Sequence, residues 1–258
     1  MGRNKRRAIS LKQPHEISLM REAGRIVATV LNALQDAIRP GVTTWNLDIL
    51  AEEVATKLGG VPAFKGYQGF PASICASVNE ELVHGIPSTS RVLKEGDIVT
   101  IDFGASYQGY FGDSAVTYMV GTVSEPAKRL LEVTEESLAE AISQTHAGKH
   151  VSDLSKSVQA HVEANGFSIV RQYVGHGIGS RMHEEPAVPN YFDGAPAIDP
   201  VLQPGMVLAI EPKVNQGSSK TTVMDDDWTV VTSDRKLSAH FEHSVAVTEN
   251  GPEILTRL

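Results

Sequence analysis

Carboxylate side chains occur inside strongly apolar segments at four places in the sequence. These segments are IVTIDF, FGDSAV, VLAIEP and FEHSVAV, and the acids that they contain are Asp102, Asp113, Glu211 and Glu242. A buried carboxylate without a partner is very unfavourable, so buried acids are usually paired or bound to a metal ion. One such acid alone would be explained as a salt-bridged or strand-end residue, but four together favour a metal site.

Three histidines accompany these acids in glycine-flanked segments. His176 and His183 lie in GHGIGSRMHEEP, and His84 lies in EELVHGIP, just before a predicted turn. The closely spaced glycines make a stable helix unfavourable and allow the backbone to approach a ligand. Carboxylates with one or two imidazoles suit Mn, Fe, Co or Zn, whereas a thiolate zinc centre would need cysteines.

The number of acids predicts two metal ions rather than one. Two divalent ions about 3.5–4 Å apart can share bridging carboxylates and lower the pKa of a bridging water molecule. Other hydrolase and nucleotide-binding motifs are missing from the sequence, including H-E-x-x-H, G-x-S-x-G and the P-loop. Cys75 is better explained as a small buried residue than as a nucleophile.

Composition limits the setting of this chemistry. The chain has 258 residues, 41% of them hydrophobic, with a formal net charge of −8, which argues against DNA as a partner. A single cysteine, Cys75, is compatible with a reducing cytoplasm. No apolar run approaches the roughly 20 residues that cross a bilayer. We therefore expect a cytoplasmic protein without membrane contact.

The same order of elements is predicted twice along the chain. A helix begins near Pro14 and ends at Pro40-Gly41, and a second, with Thr44 as its N-cap, ends at Gly59-Gly60; strands follow. Helices from Pro126 and from about Val151 repeat the pattern, and strands follow again. The sequence predicts two similar halves in one catalytic domain, residues 13–258, preceded by a flexible basic leader, residues 1–12.

Seven motifs, in order, resemble those of the type I methionine aminopeptidases: NEELVHGIP, IDFG, GDSA, GHGIG, MHEEP, AIEP and HFEHS. The resemblance extends over nearly the whole chain, from about His15 to Leu255. It implies the α+β pita-bread fold, a curved antiparallel sheet flanked by two pairs of helices with pseudo-two-fold symmetry. This agrees with the repeated order of elements.

The resemblance also implies roles for individual residues. The five metal ligands would be Asp102, Asp113, His176, Glu211 and Glu242, with Asp113 and Glu242 bridging two divalent ions. Glu211 would also act as the general base, His183 would stabilise the scissile carbonyl oxygen, and His84 would contact the substrate near the scissile amide. A pocket for the methionine side chain would be formed by Tyr67, Phe70, Cys75, Met182 and Trp228.

The implied activity is removal of the initiator methionine from nascent polypeptides when the second residue is small and uncharged. The short interval between His183 and Glu211 lacks the helical insertion of type II enzymes. A monomer is expected, and the basic leader is interpreted as a solvated tail, with ribosome contact as the alternative. Two other functions remain open: an X-Pro dipeptidase or aminopeptidase with the same fold and ligands, and a pita-bread protein without activity that serves in binding.

Overall fold

The computed structural model of the chain describes residues 8–194 and 198–258. Within them are four α-helices: α1 (Pro14–Ala37), α2 (Thr44–Lys57), α3 (Glu125–Ser143) and α4 (Val151–Ala164). The strands are β1 (Val61–Pro62), β2 (Cys75–Val78), β3 (Glu81–Val83), β4 (Ile98–Tyr107), β5 (Tyr110–Met119), β6 (Ser168–Ile169), β7 (Gly175–Gly177), β8 (Glu184–Val188), β9 (Val207–Ile210), β10 (Lys213–Asn215), β11 (Thr221–Val223), β12 (Val230–Thr232), β13 (Ser238–His240), β14 (His243–Thr248) and β15 (Gly251–Ile254).

The predicted helix pairs are present, with small shifts at their ends. In α1, Pro14 occupies the first turn, where the backbone N–H of a residue has no helical partner in any case. The N-cap of α2 is Thr43 rather than Thr44, because the Thr43 hydroxyl accepts a hydrogen bond from the N–H of Asn46. Both threonines carry the same sequence signal, and the hydrogen bond to Asn46 decides between them.

All recorded strand pairs are antiparallel, and they form four small sheets. In the first sheet, β4 and β5 form a long hairpin, and β1 and β2 also pair with β4. A second, five-stranded sheet has the order β15-β14-β9-β7-β8. The two three-stranded sheets have the orders β13-β10-β6 and β11-β12-β3. This antiparallel arrangement, with helices in two pairs, agrees with the pita-bread fold that the resemblance implies.

Each half of the molecule has its own apolar cluster. One cluster packs α1 and α2 against β2 and β4, and the other packs α3 and α4 against β9 and β14. Val116 in β5 contacts both clusters, so the two cores meet at this strand. Among the described residues, no helix is long and apolar enough to span a membrane.

The two halves are joined by hydrogen bonds at the residues expected to do chemistry. The Ser244 hydroxyl accepts from the N–H of Asp113 at 3.0 Å and donates to its carbonyl at 2.9 Å. The N–H of Glu242 donates to the Ala115 carbonyl at 2.9 Å. These contacts fix β5 against β14 and bring carboxylates from both halves together.

The predicted leader is described only in part. Residues 1–7 lie outside the described residues, whereas Lys12 is buried and its N–H donates to the Gly205 carbonyl at 2.7 Å. The Lys12 ammonium also forms an ion pair with Glu184 at 2.9 Å, and both side chains are 2% exposed. Lys12 therefore packs as part of the folded unit.

Candidate active site

A cavity of about 220 Å³ contains most of the residues that the sequence singles out. Its lining residues are Phe64, Tyr67, Gln68, Phe70, Cys75, His84, Asp102, Asp113, His176, His183, Glu211, Trp228 and Glu242. A larger cavity, about 540 Å³, lies beside α4, but none of the His and carboxylate clusters found among the described residues lies on it. The smaller cavity is therefore the candidate site.

Antiparallel pairing places the two aspartates on neighbouring strands. Asp102 lies in β4 opposite Ala115, and Asp113 lies in β5 opposite Gly104. Asp113 is buried, and Glu242, which directly precedes β14, is 2% exposed. The expectation of acids inside apolar strands therefore holds for Asp102 and Asp113, whereas Glu242 lies between β13 and β14.

Three carboxylate oxygens in this cluster lack any partner within the described structure. Asp102 Oδ1, Asp113 Oδ1 and Glu242 Oε1 are buried and accept no hydrogen bond. Burial raises the pKa of Asp102 to about 7, and burial together with the neighbouring acids raises the pKa of Asp113 and Glu242 well above their usual range. Buried acids of this kind are usually paired or bound to a metal ion, and the oxygen-rich composition of the cluster suits divalent ions.

His176 completes the first metal-type cluster. It lies in β7 between Gly175 and Gly177. One possible ligand atom from each of His176, Asp113 and Glu242 lies within 4.8 Å of the other two. The His176 Nδ1–H is placed to donate to the Gly177 carbonyl at 2.9 Å, which leaves Nε2 free to bind a cation. Burial lowers the pKa of His176 to about 3, so the ring is neutral near pH 7.

The glycines beside His176 serve strand packing. A Cβ atom on Gly177 would lie 2.2 Å from the Glu185 carbonyl oxygen, and one on Gly175 would lie 2.4 Å from that of Ala209. The sequence analysis correctly excludes a helix here. However, the close approach that these glycines permit is to the neighbouring strands β8 and β9, which hold His176 in place.

A second cluster contains His240 and is contacted by Lys213, two residues that the sequence analysis did not select. Glu211, His240 and Glu242 offer ligand atoms within 4.8 Å of one another, and His240 Nε2 lies 3.8 Å from an oxygen of each glutamate. Both ring nitrogens of His240 lack a hydrogen-bond partner. Glu211 Oε1 lies 3.6 Å from His176 Nε2, whereas Oε2 contacts the Lys213 ammonium.

The only sequence signals for these two residues are their positions. Lys213 follows Glu211 by two residues, and His240 precedes Glu242 by two, so each would share a strand face with a predicted ligand. Pairing of β10 with β13 then sets Lys213 directly opposite His240. That register cannot be read from the sequence.

His84 and His183 both lie on the cavity, close to the carboxylates. The His183 and His176 ring centroids are 4.2 Å apart, and the Tyr67 hydroxyl lies 2.8 Å from His183 Nδ1. Burial and the Lys213 charge lower the pKa of His183 and bring that of His84 to about 4. Two neutral imidazoles can therefore donate or accept hydrogen bonds beside the cluster.

His84 is held in an uncommon backbone conformation. Its φ of 60° is in the left-handed region, which few residues other than glycine adopt, although histidine is among the more tolerant. Its ring meets the edges or faces of Tyr173 and Trp228 at centroid distances of 5.8 and 6.3 Å. The conformation turns the side chain toward the cavity.

An aromatic wall lines the same cavity as the carboxylates. Of the five residues predicted for the methionine pocket, four line it: Tyr67, Phe70, Cys75 and Trp228. Phe70 packs edge-on against Trp228 with centroids 5.2 Å apart. Burial raises the pKa of the Cys75 thiol well above its usual value, as do Asp102 and Asp113, so Cys75 is an uncharged part of the wall.

Met182 occupies a different place from the other four. It is 3% exposed and packs in an apolar cluster with Met20, Ile178 and Val207, and it is absent from the cavity lining. Phe64, which the sequence analysis did not select, lines the cavity instead. Met182 and Phe64 both reach Gly104, where a Cβ atom would lie 2.9 Å from each of them. Met182 thus packs behind the wall.

Comparisons with known proteins agree with this geometry. The model of metallopeptidase family M24 matches residues 18–249. Methionine aminopeptidase 1 of Bacillus subtilis is 55% identical over 250 residues, which cover 97% of this chain and 100% of that protein. The crystal structure of methionine aminopeptidase from Thermotoga maritima has a TM-score of 0.94 at 48% identity, covering 97% of this chain and 100% of that one.

A more distant match concerns the alternative activity. The Xaa-Pro dipeptidase from Bacillus anthracis has a TM-score of 0.77 at 25% identity, and the match covers 96% of this chain but 62% of that protein. The methionine aminopeptidases match at higher identity and over their full length. The chain is therefore an enzyme of metallopeptidase family M24, which implies use of divalent metal, and within that family it belongs to the methionine aminopeptidases.

Proposed function

We propose that the chain removes the initiator methionine from nascent polypeptides whose second residue is small and uncharged. The observation that carries this proposal is the placement of an unpaired carboxylate–imidazole cluster and an aromatic wall in one cavity of about 220 Å³. Pockets for drug-sized ligands measure about 300–1,000 Å³, so this one suits a terminal residue better than a long internal segment.

The residues that would hold two divalent ions are Asp102, Asp113, His176, Glu211 and Glu242. When bound, such ions supply Lewis acidity and lower the pKa of a water molecule. The two clusters share Glu242, which fits a bridging role for this carboxylate. The composition of the ligand set admits Co, Mn, Fe or Zn.

The protein side chains would carry the protons of the reaction. Glu211 accepts a proton from the attacking water molecule while the oxygen of that water forms a bond to the scissile carbonyl carbon. His183 donates a hydrogen bond to the carbonyl oxygen as negative charge develops there. Glu211 then passes the proton to the leaving nitrogen as the C–N bond breaks, and His84 contacts the amide.

Substrate selection would depend on the side chains that line the cavity. A thioether side chain suits the soft wall of Tyr67, Phe70, Cys75 and Trp228, because sulfur–aromatic contacts add modest stabilisation. Phe64 adds a further aromatic surface. His183 stacks on Tyr67 of this wall and lies 4.2 Å from His176, measured between ring centroids, so the methionine side chain would lie close to the imidazoles.

The partners would be the N-termini of new polypeptides in the cytoplasm, and the enzyme would act as a monomer. The basic residues Arg3, Lys5, Arg6 and Arg7 precede the described part of the chain. Contact between this leader and the ribosome remains the alternative to a solvated tail. Neither DNA nor a membrane is a proposed partner.

Methionine release from Met-Ala-Ser by metal-stripped protein, titrated with Co, Mn, Fe or Zn, tests the activity. We expect metal-dependent release that Glu211→Ala abolishes. Glu253→Ala is the matched control, because Glu253 forms a surface ion pair with Arg21 and its side chain is 38% exposed. Met-Lys-Ser, with a large charged second residue, should be cleaved far more slowly.

Two outcomes would contradict the proposal. A preference for Xaa-Pro substrates over Met-Ala-Ser would favour the X-Pro peptidase alternative. No release with any of the four metals, while metal binding is confirmed, would favour a role in binding without catalysis.

A further inference from the structure

Lys213 is a buried cation in direct contact with a predicted metal ligand. Its side chain is 2% exposed, and it lies at the start of β10, two residues after Glu211. His240 is its cross-strand neighbour, and Glu242 follows His240 by two residues. A lysine in this position needs an explanation, because buried lysines are rare unless they are paired.

The Lys213 ammonium is satisfied by oxygen atoms. It donates to the Tyr173 carbonyl at 3.0 Å and to the Glu211 carbonyl at 3.4 Å, and it contacts Glu211 Oε2. An ammonium group has three N–H donors, and these three oxygens account for them. The lysine is therefore fixed in place by backbone and carboxylate together.

This ammonium contacts one member of a cluster that could hold a divalent ion. Glu211, His240 and Glu242 have metal-type spacing, and Glu211 Oε2, which lies 3.8 Å from His240 Nε2, is the oxygen that contacts Lys213. The other oxygen, Glu211 Oε1, faces His176 in the first cluster. Glu211 thus presents one oxygen to a built-in cation and the other to the metal side.

We propose that Lys213 is a built-in cation of the metal centre, a positioning residue that holds Glu211 by one oxygen and lowers the affinity of the carboxylate cluster for divalent ions. The inference rests on the metal centre of the proposed function. It extends that function by assigning a charge-balancing role to a residue outside the ligand set. With Oε2 held by Lys213, Oε1 is the oxygen that Glu211 presents to a metal ion or to water, and bound ions are held less tightly.

The charge of Lys213 predicts the direction in which metal affinity should change when this residue is neutralised. A positive charge beside the acids repels incoming divalent ions, and this repulsion is strong in a site shielded from water. Neutralising Lys213 should therefore tighten metal binding by about tenfold or more. A lysine needed only for correct folding would give the opposite result, because a disordered ligand set binds metal more weakly.

The test is calorimetric titration of the metal-stripped full chain with Co²⁺, at a temperature where circular dichroism shows every variant to be folded. Lys213→Met removes the charge and the donors, whereas Lys213→Gln removes the charge and keeps an N–H donor for Glu211. Lys12→Met is the matched control, because Lys12 is an equally buried lysine paired with Glu184, which is not a predicted ligand.

We expect both Lys213 variants to bind Co²⁺ about tenfold more tightly than the wild type, and Lys12→Met to bind as the wild type does. Weaker or unchanged binding in the Lys213 variants would overturn the inference and leave the proposed function standing. Wild-type protein that binds no Co²⁺ would overturn both. The affinity is measured without turnover, so loss of activity cannot be mistaken for either result.

Discussion

The hydroxyl group of Tyr67 lies 2.8 Å from His183 Nδ1, and the two rings are stacked with centroids 5.4 Å apart. The contact joins the aromatic wall to an imidazole beside the carboxylate cluster. A hydrogen bond at Nδ1 selects which ring nitrogen carries the proton, and so determines what the other nitrogen offers to a substrate. Tyr67 therefore has an orienting role beyond its apolar surface.

Tyr67→Phe should reduce kcat/KM for Met-Ala-Ser by about threefold to tenfold, because one hydrogen bond contributes about 0.5–1.5 kcal/mol. The melting temperature should change little, since Tyr67 is 37% exposed. Tyr107→Phe is the control, because its hydroxyl accepts a hydrogen bond from Gln108, away from the cavity. Equal kinetics in wild type and Tyr67→Phe would show that the ring alone matters.

The buried ion pair of Lys12 and Glu184 should have a large effect on stability. Its residues are 2% exposed, and Glu184 directly follows His183 and accepts from the Arg181 N–H at 3.1 Å. Lys12→Met or Glu184→Gln should each lower the free energy of unfolding by about 3–5 kcal/mol, because one buried charge is left without its partner. The double variant should lose much less than the sum.

Urea unfolding of the four proteins in this cycle measures the coupling. Lys65→Met is a suitable control, because the Lys65–Glu52 pair is 52% and 41% exposed and should contribute less than about 1 kcal/mol. Additive losses in the cycle would mean that Lys12 and Glu184 do not stabilise each other. Such a result would also weaken the case for Lys12 as part of the domain.

Phe64 and Met182 should separate contact with substrate from support of the wall. Phe64→Leu removes an aromatic face from the cavity and should raise KM for Met-Ala-Ser. Met182→Leu keeps volume behind the wall and should cost less than about 1.5 kcal/mol of stability, with little change in KM. The steady-state kinetics of both variants, with melting temperatures beside them, check this assignment. A large KM effect from Met182→Leu alone would support the prediction that Met182 forms part of the methionine pocket.

Much of the fold was predictable because its signals are local. Apolar periodicity indicated the helix pairs, and Gly59, with φ of 78°, follows α2 as the sequence analysis expects. The order of two helices and then strands, repeated, predicted the two halves. The exact N-cap of α2 was wrong by one residue, since Thr43 and Thr44 carry the same chemical signal.

The sequence predicted those site residues that are acids within apolar segments. It did not predict residues whose approach to the site depends on the pairing of distant strands. Asp102 and Glu242 stood out because each lies among apolar neighbours. Lys213 and His240 did not, because their approach to the site depends on the register of β10 and β13. The family resemblance placed Met182 in the pocket, but whether a side chain reaches the cavity or packs behind it is a property of tertiary packing.

Asp48 in α2 provides a prediction about pH. Its Oδ1 accepts hydrogen bonds from the N–H groups of Ser73 and Ile74 at 2.8 and 3.0 Å, just before the strand that carries Cys75. Burial raises the pKa of Asp48 above its ordinary value of 3.8 in spite of these bonds. The folded state thus binds this proton more tightly than the unfolded state does. The contribution of Asp48 to stability is therefore greatest below pH 3.8 and falls as the pH rises through the raised pKa.

Asp48→Asn keeps an oxygen for both N–H groups and carries no charge. We expect the free energy of unfolding of Asp48→Asn to increase relative to that of the wild type as the pH rises from 4 to 7. Urea unfolding at several pH values measures this difference. Asp153→Asn is the opposite case, because the N–H of His150 lowers the pKa of Asp153. Its carboxylate stabilises the fold fully above pH 3.8, and this contribution is lost as the pH falls through the lowered pKa. We therefore expect Asp153→Asn to be less stable than the wild type by a nearly constant amount from pH 4 to 7, with a smaller difference in more acidic solution. A difference between wild type and Asp48→Asn that stays constant over this range would mean that Asp48 has the same pKa in the folded and unfolded states.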